Sequence, residues 1–204
     1  MIIPVKKIYM SFLCIIILLL ILNFIPESLG NNLRLMFDLE QEANIPTWFT
    51  SLLLLSVSIS SFANYILSHV AKTVSNLNFF WIVLSSIFML LSLDESSGIH
   101  ELFGAEFKIK WIWIYGPLAV FFLFYFATFL EFKSKNKELV NFILGGFTVY
   151  ILGGLSSEIF DSYLYLDKFK NAIEEGFEMI GALIILTGCL KEINQILNMK
   201  YLKN

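Results

Sequence analysis

Long apolar segments separated by short polar ones dominate this chain. A helix that crosses a lipid bilayer needs roughly 20 mostly apolar residues, and the chain contains six segments of about that length. The pattern therefore predicts an all-α fold, a polytopic membrane helical bundle with about six transmembrane helices. We predict these spans at about residues 8–25, 46–67, 78–94, 111–130, 139–158 and 172–190.

Composition narrows the class of protein. Hydrophobic residues make up 57% of the 204 residues and charged residues 15%, whereas a soluble domain carries about a quarter charged residues. These values exclude a soluble globular domain and a disordered chain. The net charge of −3 offers no basic surface to nucleic acid. The length suits a single integral membrane domain over residues 1–204.

The first apolar segment admits two interpretations. Lys6 and Lys7 precede it, as in a signal peptide. The apolar run is long for a signal peptide, however, and no A-x-A cleavage site follows it. We therefore predict an uncleaved span.

The distribution of basic residues predicts the orientation. With the N-terminus in the cytoplasm, nine of the 14 basic residues lie on the cytoplasmic side, and the segment EFKSKNKE is the clearest local signal. We expect an integral membrane protein, of a bacterial inner membrane, with cytoplasmic N- and C-termini. All but three of the 17 acidic residues then lie on the external face.

Several acidic residues lie where the apolar segments end. The third segment ends at Asp94, and the fifth runs into Glu158. In the sixth, the uninterrupted apolar stretch 179–190 has twelve residues, and a helix of that length is about 18 Å long. The hydrocarbon core is about 30 Å thick, so this helix must extend back through Glu178 and Glu174. All three ends lie on one side of the membrane in either orientation.

These acids and one histidine indicate a candidate metal site. Carboxylates near a membrane are costly unless they are paired, protonated, bound to a cation or in contact with water. Carboxylates and histidines from several helices of a bundle form dimetal sites, and such ligands suit a divalent metal, Mn, Fe, Zn or Ca. The candidate ligands are Asp94, Glu95, His100, Glu101, Glu158, Asp161, Glu174, Glu175 and Glu178.

The chain between Asp94 and Glu101 has two predicted conformations. A continuous helix would place these two acids on one face, seven residues apart. A bend at Gly98 would instead let His100 fold back.

The segment FDLEQEANIPTWFTS, before the second span, also admits two interpretations. It is either a simple approach to a helix that starts near Pro46, or a lid over the acidic residues. Arg34 and Trp48 are possible substrate contacts. Arg34 can bind an anionic group or pair with Asp38, four residues away.

These features lead to three functional hypotheses and one purely structural interpretation. The first is a metal-dependent membrane enzyme that acts on a lipid or other amphiphile. The second is a small proton or cation transporter or channel subunit, and the third a non-catalytic partner subunit with an unknown protein partner. In the structural interpretation, the acids are solvated groups at helix ends, some of them complementing a helix dipole.

Two glycine pairs in the fifth segment predict close helix packing. Gly145-Gly146 and Gly153-Gly154 are eight residues apart and share one helix face. Small residues on such a face let another helix approach closely.

Three segments carry a resemblance to a known group of proteins. FDLEQEANIPTWFTSLLLL, LSLDESSGIHE and EEGFEMIG resemble segments of uncharacterised multi-pass bacterial membrane proteins. The resemblance implies a multi-span helical fold and carries no activity.

Overall fold

The chain folds into helices that follow the apolar segments. The computed structural model describes residues 3–41, 43–70, 77–108, 112–160 and 167–201, and these residues contain no strand. A 3₁₀ helix, Glu27–Leu29, precedes α2. The α-helices are α1 (Val5–Leu22), α2 (Asn31–Phe37), α3 (Ile45–Val70), α4 (Asn78–Ser97), α5 (Ile99–Phe107), α6 (Ile112–Lys133), α7 (Lys137–Phe160) and α8 (Asp167–Tyr201).

Six of the described helices are long and apolar enough to cross a membrane, namely α1, α3, α4, α6, α7 and α8. Each coincides with one of the six predicted segments, so the all-helical prediction is confirmed for the described residues. The helix ends differ from the predicted ones. The first helix ends at Leu22 rather than at residue 25, because Pro26 disfavours helical geometry in the residue before it.

The largest difference is at the C-terminal helix. We predicted a span at 172–190, whereas α8 runs from Asp167 to Tyr201. Ile193 and Ile196 are buried, so apolar packing supports the helix beyond the polar pair at residues 191 and 192.

The eighth helix is the centre of the bundle and contacts α1, α3 and α7. Its contact with α7 depends on glycine. A methyl group on Gly181 would lie 2.5 Å from the Tyr150 backbone nitrogen, and one on Gly153 would lie 2.8 Å from the Glu174 carbonyl oxygen. A methyl group on Gly145 would meet no described atom within 4 Å. The predicted close approach is confirmed for Gly153 and also for Gly146, where a methyl group would lie 2.8 Å from the Gly181 carbonyl oxygen, whereas Gly145 takes no part in it.

Serine pairs join α3 to α4. The Ser58 hydroxyl donates to the Ser85 carbonyl oxygen at 2.8 Å. Nearer the start of α3, Ser51 and Ser92 each donate to the other's carbonyl oxygen at 2.9 Å. Such hydrogen bonds satisfy polar groups between helices where no water competes.

Two hydrogen-bonded contacts define the ends of the bundle. The Ile3 backbone exchanges hydrogen bonds of 2.9 Å with the Asn194 side chain, so the start of α1 lies beside the last turns of α8. The Asn23 side chain donates to the Lys168 carbonyl oxygen at 3.2 Å, so the end of α1 lies beside the start of α8. We call this second end, where α4 and α7 finish and α3 and α8 begin, the acidic end.

Candidate functional site

The turn between α4 and α5 holds His100 against Asp94. Gly98 adopts the left-handed conformation (φ 58°), which ends α4 and redirects the chain. The Asp94 carboxylate accepts a hydrogen bond from the His100 backbone N–H at 2.9 Å, and its other oxygen lies 3.2 Å from Nδ1 of the ring. The chain bends at Gly98, and the histidine folds back.

A tyrosine of α6 completes this arrangement. The Tyr115 side chain interacts with the Asp94 carboxylate, and its ring packs edge-on to the His100 ring, with centroids 6.4 Å apart. With a proton on Nδ1, the ring donates to Asp94 and leaves Nε2 as its second polar atom. Asp94 therefore orients the imidazole.

The first turns of α8 supply three glutamates. Glu174, Glu175 and Glu178 are partly buried. Their carboxylates repel one another, and Glu95 of α4 repels both Glu175 and Glu178. Across the helix contact, the Tyr150 side chain of α7 interacts with the Glu178 carboxylate.

Gly153 makes this close approach possible. A methyl group there would also lie 2.8 Å from the Glu178 Cγ atom and 3.0 Å from its backbone nitrogen. Any larger residue would push α7 away from the glutamates.

A pocket of about 80 Å³ lies between these elements, and we call it the acidic pocket. The residues that line it come from α4, α5, α8, the first turn of α3 and the segment that precedes α3. They are Leu39, Glu40, Gln41, Pro46, Thr47, Glu95, His100 and Glu175. The volume is enough for a few water molecules, each of which takes about 30 Å³ in the liquid.

The segment before α3 is held over the pocket by two asparagines. The Asn23 side-chain oxygen accepts from the Leu39 backbone N–H at 3.0 Å, and Asn23 is buried. The Asn44 side-chain oxygen accepts from the Thr47 backbone N–H at 3.1 Å, which caps the start of α3. Leu39, Glu40 and Gln41 of this segment line the pocket. Both interpretations of the segment, a simple approach to α3 and a lid over the acidic residues, stay predictions.

One more polar group lies close to the pocket. Thr50 is on the same face of α3 as Pro46 and Thr47, one turn further into the bundle. It is fully buried, and its hydroxyl has no hydrogen-bond partner among the described residues. Buried hydroxyls almost always have one.

The two predicted substrate contacts lie outside the pocket lining. Arg34 lies 3.5 Å from the Asp38 carboxylate and 3.6 Å from that of Glu27. Its pairing with Asp38 is one of the two alternatives expected from the sequence. Trp48 is exposed on the first turn of α3. A role in substrate binding stays a prediction for both.

The structure brings together part of the predicted ligand set. Glu95, His100 and Glu175 line one pocket, and Asp94, Glu174 and Glu178 are their immediate neighbours. Glu101 and Glu158 lie on α5 and α7, but their side chains are outside the described part of the chain, as is all of Asp161. Within the described residues, no three His, Cys, Asp or Glu side chains form a group that could already hold a metal ion.

Sequence reasoning missed Asn23, Gln41, Thr47, Tyr115 and Tyr150. An asparagine at the end of an apolar segment, and tyrosines inside two others, were the available signals. A buried asparagine or tyrosine needs a hydrogen-bond partner, which for Asn23 and Tyr150 lies on another helix or segment.

In the part of the chain that the structure describes, the fold and the pocket define a class of protein, a helical bundle with six membrane-length apolar helices and a carboxylate-lined pocket at one end. A family model described as a domain of unknown function, DUF8692, matches residues 11–192, and the chain belongs to this family. No curated protein and no solved structure matches the chain.

Proposed function

We propose that the chain is an integral membrane protein that binds a divalent cation in the acidic pocket. Its six apolar helices cross the bilayer, its termini are cytoplasmic, and its acidic end is external. The apolar helices and the asymmetry of basic residues support this orientation.

The convergence of Glu95 and Glu175 in one pocket carries the proposal. They come from different helices, Glu178 lies beside both, and no basic side chain of the described chain forms an ion pair with Glu175 or Glu178. Mutual repulsion of partly buried carboxylates is relieved by a bound cation. The orphaned Thr50 hydroxyl adds a further oxygen ligand or a partner for a metal-bound water.

The chemistry of the donors favours a divalent ion over a larger cation. The pocket offers carboxylate, amide and hydroxyl oxygens and one imidazole, a set that suits Mn, Fe, Zn or Ca. Its volume fits an ion with a few waters and excludes a lipid headgroup. Because no ready-made ligand group exists among the described residues, binding requires rotation of the glutamate side chains toward the ion.

A metal at this place supports the hypothesis of an enzyme that acts on an amphiphile. The ion would lie near the membrane surface, where it can polarise the polar group of a bilayer-resident substrate or activate a water molecule. A substrate would then bind at the mouth of the pocket.

A transport function has less support. A conducting path needs polar groups through the bundle, but the hydroxyls of Ser51 and Ser58 on α3 donate to carbonyl oxygens of α4. These hydrogen bonds join helices rather than line a pore.

Metal content of the purified, detergent-solubilised protein tests the proposal. We expect close to one equivalent of Mn, Fe, Zn or Ca by mass spectrometry, after purification without chelator and with metals resupplied. Glu175→Gln together with Glu178→Gln should abolish binding. Glu106→Gln is the matched control, since Glu106 is an exposed glutamate at the same end.

Two results would overturn the proposal. One is wild-type protein that stays metal-free after resupply. The other is metal that the double variant retains at the wild-type level, since such an ion is bound elsewhere.

A further inference from the structure

The short helix α5 has a distinct apolar face. Ile99, Leu102, Phe103 and Phe107 are spaced i, i+3, i+4 and i+8, so they share one side of the helix. Leu102 is 66% exposed, Phe103 49% and Phe107 58%. The rings of Phe103 and Phe107 stack with centroids 5.7 Å apart. A soluble surface rarely leaves such a contiguous apolar stripe uncovered.

The helix α5 attaches to the rest of the protein at one edge of the stripe, not through its centre. That attachment uses His100, through the Asp94 carboxylate and the Tyr115 ring. By helical spacing, His100 lies at one edge of the stripe.

The position of α5 in the fold points to a lipid surface as the partner. The helix has nine residues and is about 13 Å long, too short to cross a bilayer. It follows the last turn of α4 directly and precedes α6, both of membrane length. Leu93 on α4 and Trp113 on α6 are exposed at this same end, so the apolar stripe continues the lipid-facing surface of the flanking helices.

We propose that α5 lies in the membrane–water interface, with its apolar stripe among the acyl chains and its opposite side in the aqueous phase. The inference rests on the proposed membrane insertion. Helices with one apolar and one polar face bind the interface in this way. Lys108 at the end of α5, and Lys110 in the sequence after it, suit the phosphates of phospholipids.

The consequence concerns access to the acidic pocket. The same helix that binds the lipid carries His100, a residue that lines the pocket. The mouth of the pocket then lies at headgroup level, where an amphiphile in the bilayer can reach it without leaving the membrane.

One residue departs from the pattern. Glu106 falls within the stripe in the last turn of α5, and its side chain is exposed. Its removal should strengthen the contact with lipid, so Glu106→Leu and Phe103→Ser should change the depth of α5 in opposite directions.

Spin-label accessibility in phospholipid vesicles tests the position of α5. The full chain carries one introduced cysteine in a Cys14→Ser background, since Cys189 is fully buried. The labelled variants are Phe103→Cys in the stripe, Ala105→Cys at a position that helical spacing separates from the stripe, and Phe124→Cys on α6, where the side chain is exposed. The accessibility of each label is measured to two relaxing agents: oxygen, which partitions into lipid, and a nickel complex, which stays in water.

We expect the ratio of oxygen to nickel accessibility to be several-fold higher at residue 103 than at residue 105, and higher still at 124. Adding Glu106→Leu to the residue 103 variant should raise that ratio. Equal exposure of 103 and 105 to nickel, with 124 in lipid, would overturn the inference but leave membrane insertion intact. Nickel access at 124 would instead refute insertion itself. Protection of 103 from both agents would show that a second copy of the chain covers the stripe, which also contradicts the proposal.

Discussion

The two ends of the bundle place glutamates of α8 in contrasting surroundings. At the end that holds the termini, Glu192 accepts a hydrogen bond of 2.9 Å from the Asn136 side chain, and Lys191 pairs with Glu138. At the acidic end, Glu175 and Glu178 repel Glu95 and each other. No described basic side chain forms an ion pair with these two.

This difference separates structural carboxylates from candidate functional ones. At the first end, Glu192 bonds to the turn between α6 and α7, and Glu138 of α7 pairs with α8. These contacts stabilise the fold, which accounts for both carboxylates. At the acidic end, the fold brings like charges together, which costs stability in the absence of a ligand. Groups kept in an unfavourable arrangement are candidates for a functional site.

Glycine substitutions should give the largest effect and test whether the acidic end depends on close helix contact. Gly153→Leu places a side chain against the backbone of α8, and we expect a loss at or above the roughly 1–3 kcal/mol typical of overpacked sites. Denaturant unfolding in detergent measures it. Gly145→Leu, on the same helix in open space among the described atoms, should leave stability nearly unchanged. Equal losses for both would contradict the assigned contact.

Removing one carboxylate charge at each end tests whether the two ends differ in stability as described. Glu178→Gln should raise the free energy of unfolding of the metal-free protein, because a pair of nearby like charges costs on the order of 1–4 kcal/mol at a partly buried site. Glu138→Gln should lower it by about 1 kcal/mol or less, since it breaks an exposed ion pair. Both are measured by unfolding in the presence of chelator. A lower stability for Glu178→Gln would show that this carboxylate is structural.

The asparagines of the two ends provide a third test. Asn23→Ala removes a buried acceptor and leaves the Leu39 N–H without it, which should cost about 1–3 kcal/mol. Asn136→Ala removes more exposed contacts and should cost less. Unfolding gives the stabilities, and hydrogen exchange of residues 38–41 should accelerate only in Asn23→Ala. Unchanged exchange there would mean that Asn23 does not hold the segment over the pocket.

The most local expected effect is confined to α5. Asp94→Asn keeps the size of the side chain but weakens its hydrogen bonds to His100, at a cost of about 1 kcal/mol. We expect faster hydrogen exchange in residues 99–107 and no change in the turn between α6 and α7. An equal change at both places would indicate global destabilisation instead.

Much of the fold was predictable because membrane-length apolar segments are a local property of the chain. All six apolar helices were predicted, and the shortness of the apolar stretch before Leu190 showed that α8 must include Glu178 and Glu175. The position of the helix ends was less predictable. The extension of α8 to Tyr201 depends on burial of Ile193 and Ile196, which hydropathy does not reveal.

The candidate site was predictable only in part. The sequence indicated which acids lie at one end of the bundle, but not which of them meet, because that depends on which helices are neighbours. Both conformations of the segment after Asp94 were open, and the choice depended on Gly98. The roles of Asn23 and Tyr150 were missed because their partners, Leu39 and Glu178, are distant in the chain.

The number of apolar helices and the unequal distribution of acids between the two ends can be read from the sequence alone. Both follow from the spacing of apolar and charged residues along the chain. The pocket shared by Glu95, His100 and Glu175 and the uncovered apolar side of α5 emerge only in the folded protein. These arrangements arise from packing between helices, since the glycines of α7 and α8 set how closely two backbones approach, and a single left-handed residue redirects the chain after α4.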